Sequence, residues 1–266
     1  MLNKKIGFIG AGNMGSAIAK GLVSSGSVAA DDIYVTDLDV NKTAELAKMG
    51  AVVCKDATEL ANSVDVVILA VKPVAFEFVL SSVSSVTKPL YISIAAGITI
   101  GYIKGFFDEG VRVIRVMPNT PALIGEGVTV VSSKAPATQE DEALACEIFK
   151  SVGMVERMNE SYLNAVGSVS GSSPAYVYMM IEAMADAAVS DGIPREMAYR
   201  LASQSVLGSA KMVLETGLHP GDLKDKVCSP GGTTIRAVAA LEQGGFRSSI
   251  INAMKACTKR SNEITK

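Results

Sequence analysis

A chain of 266 residues with 48% hydrophobic and 20% charged residues can bury a large core, which excludes a disordered polypeptide. A formal net charge of −2 with no basic run gives no footing for nucleic acid or an anionic membrane surface, and no uninterrupted apolar stretch is long enough to span a bilayer. Cys54, Cys146, Cys228 and Cys257 lie far apart and His219 is the single histidine, so the expectation is a reduced cytoplasmic protein with no metal centre.

The chain opens with Ile6, Phe8 and Ile9, which predict a short buried strand. Gly10-Ala11-Gly12-Asn13-Met14-Gly15 follows and fits G-x-G-x-x-G, and a helix of small and apolar residues runs from Ser16. Gly10 allows the tight turn, Gly12 lets a pyrophosphate approach the backbone, and Gly15 lets helix and strand pack closely. Free N–H groups at the helix start would bind the phosphates. A glycine motif alone is weak evidence. Here it sits between a strand and a helix, and the second strand, Ile33 to Thr36, ends at Asp37, where a Rossmann unit places the acid for the adenosine ribose.

Further along, Val40 to Met49 predicts a helix, Ala51 to Cys54 a short strand, and Asp65 to Val71 a buried strand ending at Lys72-Pro73. A helix over Ala75 to Val83 leads to strands at Leu90 to Ile94 and Val111 to Val116, and Met117-Pro118-Asn119-Thr120-Pro121 stops the latter. Apolar strands alternating with helices predict a parallel sheet covered on both faces. Val128 to Ser132 and Gly153 to Arg157 add edge strands around a helix from Gln139 to Lys150. From Asn159 onward only helices are expected, so the fold class is α/β: a Rossmann-type parallel sheet domain, 1–158, joined to an all-helical domain, 159–266. Ser173-Pro174 starts one helix, Pro194 the next, with shorter ones at Pro220 and Gly231-Gly232 and a last from Phe246 to Ile264. Met179, Met180, Met184, Val206, Leu207, Ala210, Val213 and Leu214 give these helices broad apolar faces. A second subunit or a self-contained bundle would cover them, and the dimer is the favoured expectation.

In an open parallel sheet the ligand lies at the carboxyl ends of the strands. Those ends are Gly10 to Gly15, Thr36-Asp37, Ala70-Val71-Lys72-Pro73, Ile94-Ala95-Ala96 with Gly97, and Met117 to Pro121. Lys72 could meet a phosphate or a ribose, or simply be a solvated lysine. Asn119 could bond the nicotinamide or the substrate, or cap a turn. Ser229-Pro230-Gly231-Gly232-Thr233-Thr234 places glycines and hydroxyls at a helix start without an acidic side chain. It suits a small carboxylate, held by backbone N–H groups and the Thr233 and Thr234 hydroxyls; its plain alternative is a capped helix.

Taken together, these stretches resemble the pyrroline-5-carboxylate reductase family. The matching pieces are the glycine loop, Ala70 to Pro73, Ser93 to Gly97, Arg115 to Pro121, Ser170-Gly171-Ser172-Ser173-Pro174-Ala175-Tyr176, Gly244-Gly245-Phe246-Arg247 and, most specifically, Ser229 to Thr234. The resemblance implies a Rossmann domain and a helical domain interlocked in a homodimer, often assembled into a decamer. It implies hydride transfer from NADPH or NADH to the C=N carbon of 1-pyrroline-5-carboxylate, giving L-proline. By position, Ser229, Gly231, Gly232, Thr233 and Thr234 would hold the substrate carboxylate, Thr234 would sit beside the ring nitrogen, and Glu160 would lie near the substrate. Asp37 stands where many members carry a hydroxyl or basic residue suited to a 2′-phosphate, so NADH is expected to serve at least as well as NADPH. Two rival functions share parts of this pattern. A 3-hydroxyacid dehydrogenase of the 6-phosphogluconate dehydrogenase-like kind needs a catalytic lysine, and Gly167 to Tyr178 contains none. A non-catalytic dinucleotide sensor would not require the loop at Ser229 to Thr234.

Overall fold

A computed structural model describes residues 1–266 and divides the chain into two compact units, Met1–Ser172 with Cys257–Lys266, and Ser173–Ala256. The change from strands to helices comes earlier, after the last strand ends at Arg157.

The first unit carries eight strands in the order β3-β2-β1-β4-β5-β6-β7-β8. They are β1 (Ile6–Ile9), β2 (Ile33–Thr36), β3 (Val52–Val53), β4 (Val66–Leu69), β5 (Leu90–Ser93), β6 (Arg112–Met117), β7 (Gly127–Ser133) and β8 (Gly153–Arg157). The first six pair in parallel, and the order turns back between β1 and β4, the switch point of a doubly wound sheet. Helices α1 (Asn13–Ser24), α2 (Val40–Lys48), α3 (Ala57–Ser63), α4 (Phe76–Val83), α5 (Ile100–Lys104) and α6 (Gln139–Lys150) make the crossovers and covers.

Alternation along each strand splits the core into two layers. Ile6, Phe8, Ile68 and Ile114 pack with Ile18, Leu22 and Phe149 on one face. Ile9, Val67, Tyr91 and Val113 pack with Leu60, Phe76 and Ile103 on the other. At about 25 cal/mol per Å² each buried Ile or Phe contributes roughly 1.5–3 kcal/mol, so both faces must be covered.

Two features differ from the sequence reading. β7, expected as an edge strand, runs antiparallel to β6 and is flanked on its other side by β8. Residues 118–126, with a 3-10 turn at Thr120–Ile124, are too few for a parallel crossover, so the chain can only turn back on itself. Two short helices, α3 and α5, lie where no helix was expected, and each is fixed by a cap. Asp56 accepts from the Glu59 N–H, and Thr99 accepts from the Tyr102 N–H.

After a 3-10 turn at Glu160–Tyr162 and α7 (Leu163–Val166), a π-helical turn spans Gly167–Gly171 and is closed by the Ser172 N–H on the Gly167 carbonyl at 2.8 Å. The second unit begins with α8 (Ser173–Ser190), which packs across a short turn on α9 (Arg195–Thr216). α10 (Pro220–Val227), α11 (Thr233–Gln243) and α12 (Phe246–Ile264) follow, and α12 ends back in the first unit. The buried hydrophobic residues of the second unit are only Ala185, Ala198 and Ala202. None of the eight apolar residues named above for these helices is buried in the single chain.

Candidate active site

The carboxyl ends of β1, β2, β4 and β5 stand side by side, so the sheet itself assembles the rim expected to bind a dinucleotide. Gly10 leaves β1 at φ +105 with its N–H on the Thr36 carbonyl at 2.8 Å, and a Cβ there would come within 2.6 Å of the Ala70 carbonyl oxygen. Only glycine accepts that conformation and that approach. Gly12 is the N-cap of α1 and offers no side-chain cap, and the first turn carries no acid. A Cβ at Gly12 would meet nothing within 4 Å. The opening turn of α1 therefore presents uncapped N–H groups and its positive dipole end to open space.

Asp37 is tied into this loop more closely than a ribose ligand need be. Its Oδ2 accepts the Ala11 N–H at 2.8 Å, its Oδ1 accepts the Asp39 N–H at 2.9 Å, and Lys42 Nζ lies 3.7 Å from Oδ1. Thr36 beside it is buried. Ala70 continues from β4, its N–H on the Ile9 carbonyl at 2.9 Å, and leads through Val71 to Lys72 and Pro73. Lys72 is exposed and forms no ion pair, so its ammonium is free for a ligand or for water. Ile94, Ala95 and Ala96 leave β5, with the Ala95 N–H on Ser93 Oγ at 3.3 Å. A concavity of about 680 Å³ runs along α1 beside Lys20, Lys42 and Ile124. It meets the rim only at Ala11, Gly12 and Asn13, so we place the site on strand-end geometry rather than on that hollow.

Asn119, just beyond β6, is buried and engaged at both ends of its amide. Nδ2 donates to the Ser170 carbonyl at 3.0 Å and Oδ1 accepts the Val128 N–H at 2.8 Å. It thereby joins the strand end to the π-helical turn and to β7.

Glu160 is buried against donors from three elements. Oε1 accepts the Ile100 N–H at 2.7 Å and lies 3.4 Å from Arg115 Nη1, while Oε2 meets Lys134 Nζ at 2.7 Å. Burial pushes its carboxyl upward, but the bonds from Lys134 and Ile100 and the charges of Lys134 and Arg115 outweigh it and hold it below the ordinary carboxylate range. Arg115 is 2% exposed, its Nε and Nη2 have no partner, and Glu160 is its one counter-charge. Lys134 was not singled out from the sequence, and Arg115 only as the first residue of the matching stretch Arg115 to Pro121. The available signal was an arginine inside the otherwise apolar run Val113 to Met117.

In the second unit, Gly231 has φ +70, the Gly232 N–H closes on the Ser229 carbonyl at 3.0 Å, and Gly232 is an N-cap of α11 without a side-chain bond. No acid lies in the first turn, and the Thr233 and Thr234 hydroxyls make no hydrogen bond within the chain. The loop is thus an uncapped helix start with two free hydroxyls.

The pyrroline-5-carboxylate reductase of Escherichia coli (strain K12) is 50% identical over 268 residues, covering 100% of both chains. The chain belongs to the pyrroline-5-carboxylate reductase family. The reductases of Methanosarcina acetivorans and Arabidopsis thaliana are 44% and 43% identical, covering 100% and 98% of this chain and 100% and 95% of their own. A family model described as pyrroline-5-carboxylate reductase dimerisation matches residues 160–264, and one described as NADP oxidoreductase coenzyme F420-dependent matches residues 5–97. Among solved structures, a reductase of this family from Coxiella burnetii superposes with a TM-score of 0.91 at 36% identity over 99% of each chain. The Plasmodium falciparum enzyme, with NADP bound, superposes with a TM-score of 0.90 at 31% identity over 100% of each. The oxidoreductase model ends at Gly97, past β5, and the dimerisation model begins at Glu160.

Proposed function

We propose that this chain reduces 1-pyrroline-5-carboxylate to L-proline, the last step of proline biosynthesis, with NADPH or NADH as reductant. The observation that carries the reading is full-length identity of 50% to an Escherichia coli reductase. The chain's own residues fit the cofactor: a Cβ-free Gly12 facing open space, an uncapped first turn of α1, and strand ends gathered at the switch point. When bound, the nicotinamide supplies a hydride to the C=N carbon. Gly10 to Gly15 hold the pyrophosphate on N–H groups, Thr36 and Asp37 border the adenosine ribose, and Ala70 to Pro73 and Ile94 to Ala96 border the rest of the dinucleotide. Asn119 supports that end of the rim through β7 and the π-helical turn.

The substrate carboxylate binds the first turn of α11 at Ser229 to Thr234, where Gly231 and Gly232 keep the N–H groups clear and Thr233 adds a hydroxyl. Thr234 donates its hydroxyl hydrogen bond towards the ring nitrogen as that nitrogen becomes an amine. A protonated imine is already electrophilic, so orienting it does most of the work, and solvent supplies the proton. On this reading residues 1–158 serve the cofactor and 159–266 the substrate and the subunit contact. A second copy of the chain covers the exposed Tyr178, Met179, Leu201, Leu207 and Leu214. Further assembly of such dimers gives a decamer, and four unpaired cysteines suit a reducing cytoplasm. Steady-state turnover of 1-pyrroline-5-carboxylate with each cofactor, with a linear 3-hydroxyacid as control, tests the reading. Activity confined to the hydroxyacid would overturn it.

A further inference from the structure

The β5–α5 connection is short, lies on the rim, and is held from outside at two places. The Lys266 backbone bonds the Gly97 carbonyl at 2.8 Å and the Thr99 N–H at 3.1 Å, and one buried carboxylate takes the next free N–H. Glu160 accepts the first N–H of α5, from Ile100, at 2.7 Å, just beyond the Ile94–Ala96 stretch. The same oxygen faces Arg115 on β6 at 3.4 Å, two residues before that strand ends at Met117. The other oxygen meets Lys134, immediately after β7, at 2.7 Å. One side chain thus ties the start of α5, the inner part of β6 and the residue that follows the antiparallel β7 to one another. Its own place is secured by Asn159, whose side chain accepts the Ser161 N–H at 3.0 Å and so caps the 3-10 turn that carries Glu160.

We propose that Glu160 is a positioning residue, which with Arg115 and Lys134 clamps the β5–α5 loop and the end of β6 so that the nicotinamide end of the cofactor is held for hydride transfer. It rests on the reading of Ile94 to Ala96 as part of the cofactor rim. Three donors already surround the carboxylate, and two of them, Ile100 and Arg115, belong to the segments that carry the rim, so Glu160 acts through the loop and not on the substrate.

The conservative variant Glu160→Gln keeps an acceptor for Ile100 and removes the charge that Arg115 and Lys134 share. In the full chain, kcat is expected to fall about ten-fold or more, with the KM for 1-pyrroline-5-carboxylate held within about three-fold. The isotope effect with cofactor deuterated at the transferred position should rise, and amide exchange over residues 95–101 should quicken. A raised substrate KM with kcat intact would instead make Glu160 a substrate contact and overturn the proposal. Faster exchange with kcat and isotope effect unchanged would reduce it to a structural tie and overturn it equally. Lys134→Met leaves the buried pair whole and serves if the first variant does not fold. It should show the same signature at about three-fold in kcat, and an unchanged kcat counts against the clamp. Wild-type protein that fails to turn over 1-pyrroline-5-carboxylate would sink the functional reading, and the exchange rates would then judge the clamp alone.

Discussion

The Asp37 carboxylate holds the glycine loop through the Ala11 N–H, and the proposed function gives it a second duty, to bind an adenosine ribose hydroxyl and repel a 2′-phosphate. We therefore predict NADH use at least equal to that of NADPH, and a shift of the kcat/KM ratio towards NADPH in Asp37→Ser. The nearby Lys42, no longer facing a carboxylate, would be free to meet the phosphate. The variant should also raise both cofactor KM values, because Ala11 loses its acceptor. A wild type that strongly prefers NADPH, with no movement in the variant, counts against this. Thr234, with its hydroxyl uncommitted within the chain, should matter to the substrate alone. Thr234→Ala is expected to cost on the order of 1–3 kcal/mol, about ten- to hundredfold in kcat/KM, with NADH affinity near wild type and much of the activity restored by Thr234→Ser. Some residue roles were legible in sequence and others were not. The tight turn at Gly10 follows from one short motif. The partners of Glu160 are invisible there because Ile100, Arg115 and Lys134 come from three distant stretches that only the sheet brings together.

At the level of elements, period and punctuation carried most of the fold. Buried runs such as Val66–Leu69 and the glycine turns were plain, because a strand buried on both faces must be apolar throughout. The direction of β7 was not, since it depends on the length of the preceding turn rather than on the strand's composition. α3 and α5 are short enough that their caps outweigh their apolar pattern. The first turn gives the sharpest test at this scale. Gly10→Ala forces a side chain into φ +105 and against the Ala70 carbonyl, so it should destabilise the protein by about 1–3 kcal/mol and abolish cofactor binding. A denaturation midpoint and cofactor affinity both equal to wild type would mean that the turn tolerates a Cβ.

The whole molecule is asymmetric in burial. Two full core layers flank the sheet, whereas the second unit buries three alanines as its hydrophobic interior. Unpartnered helices with Met, Leu and Tyr on their surfaces are unstable alone in water, so the account predicts an obligate dimer. Sedimentation at low micromolar concentration should find no folded monomer, and a stable, active monomer would refute this. The central claim, hydride transfer to the C=N carbon, is tested most directly by following the hydride itself. Turnover of 1-pyrroline-5-carboxylate with cofactor deuterated at the transferred position should yield L-proline carrying one deuterium at C5. Unlabelled proline, label at another carbon, or no proline at all would contradict the account.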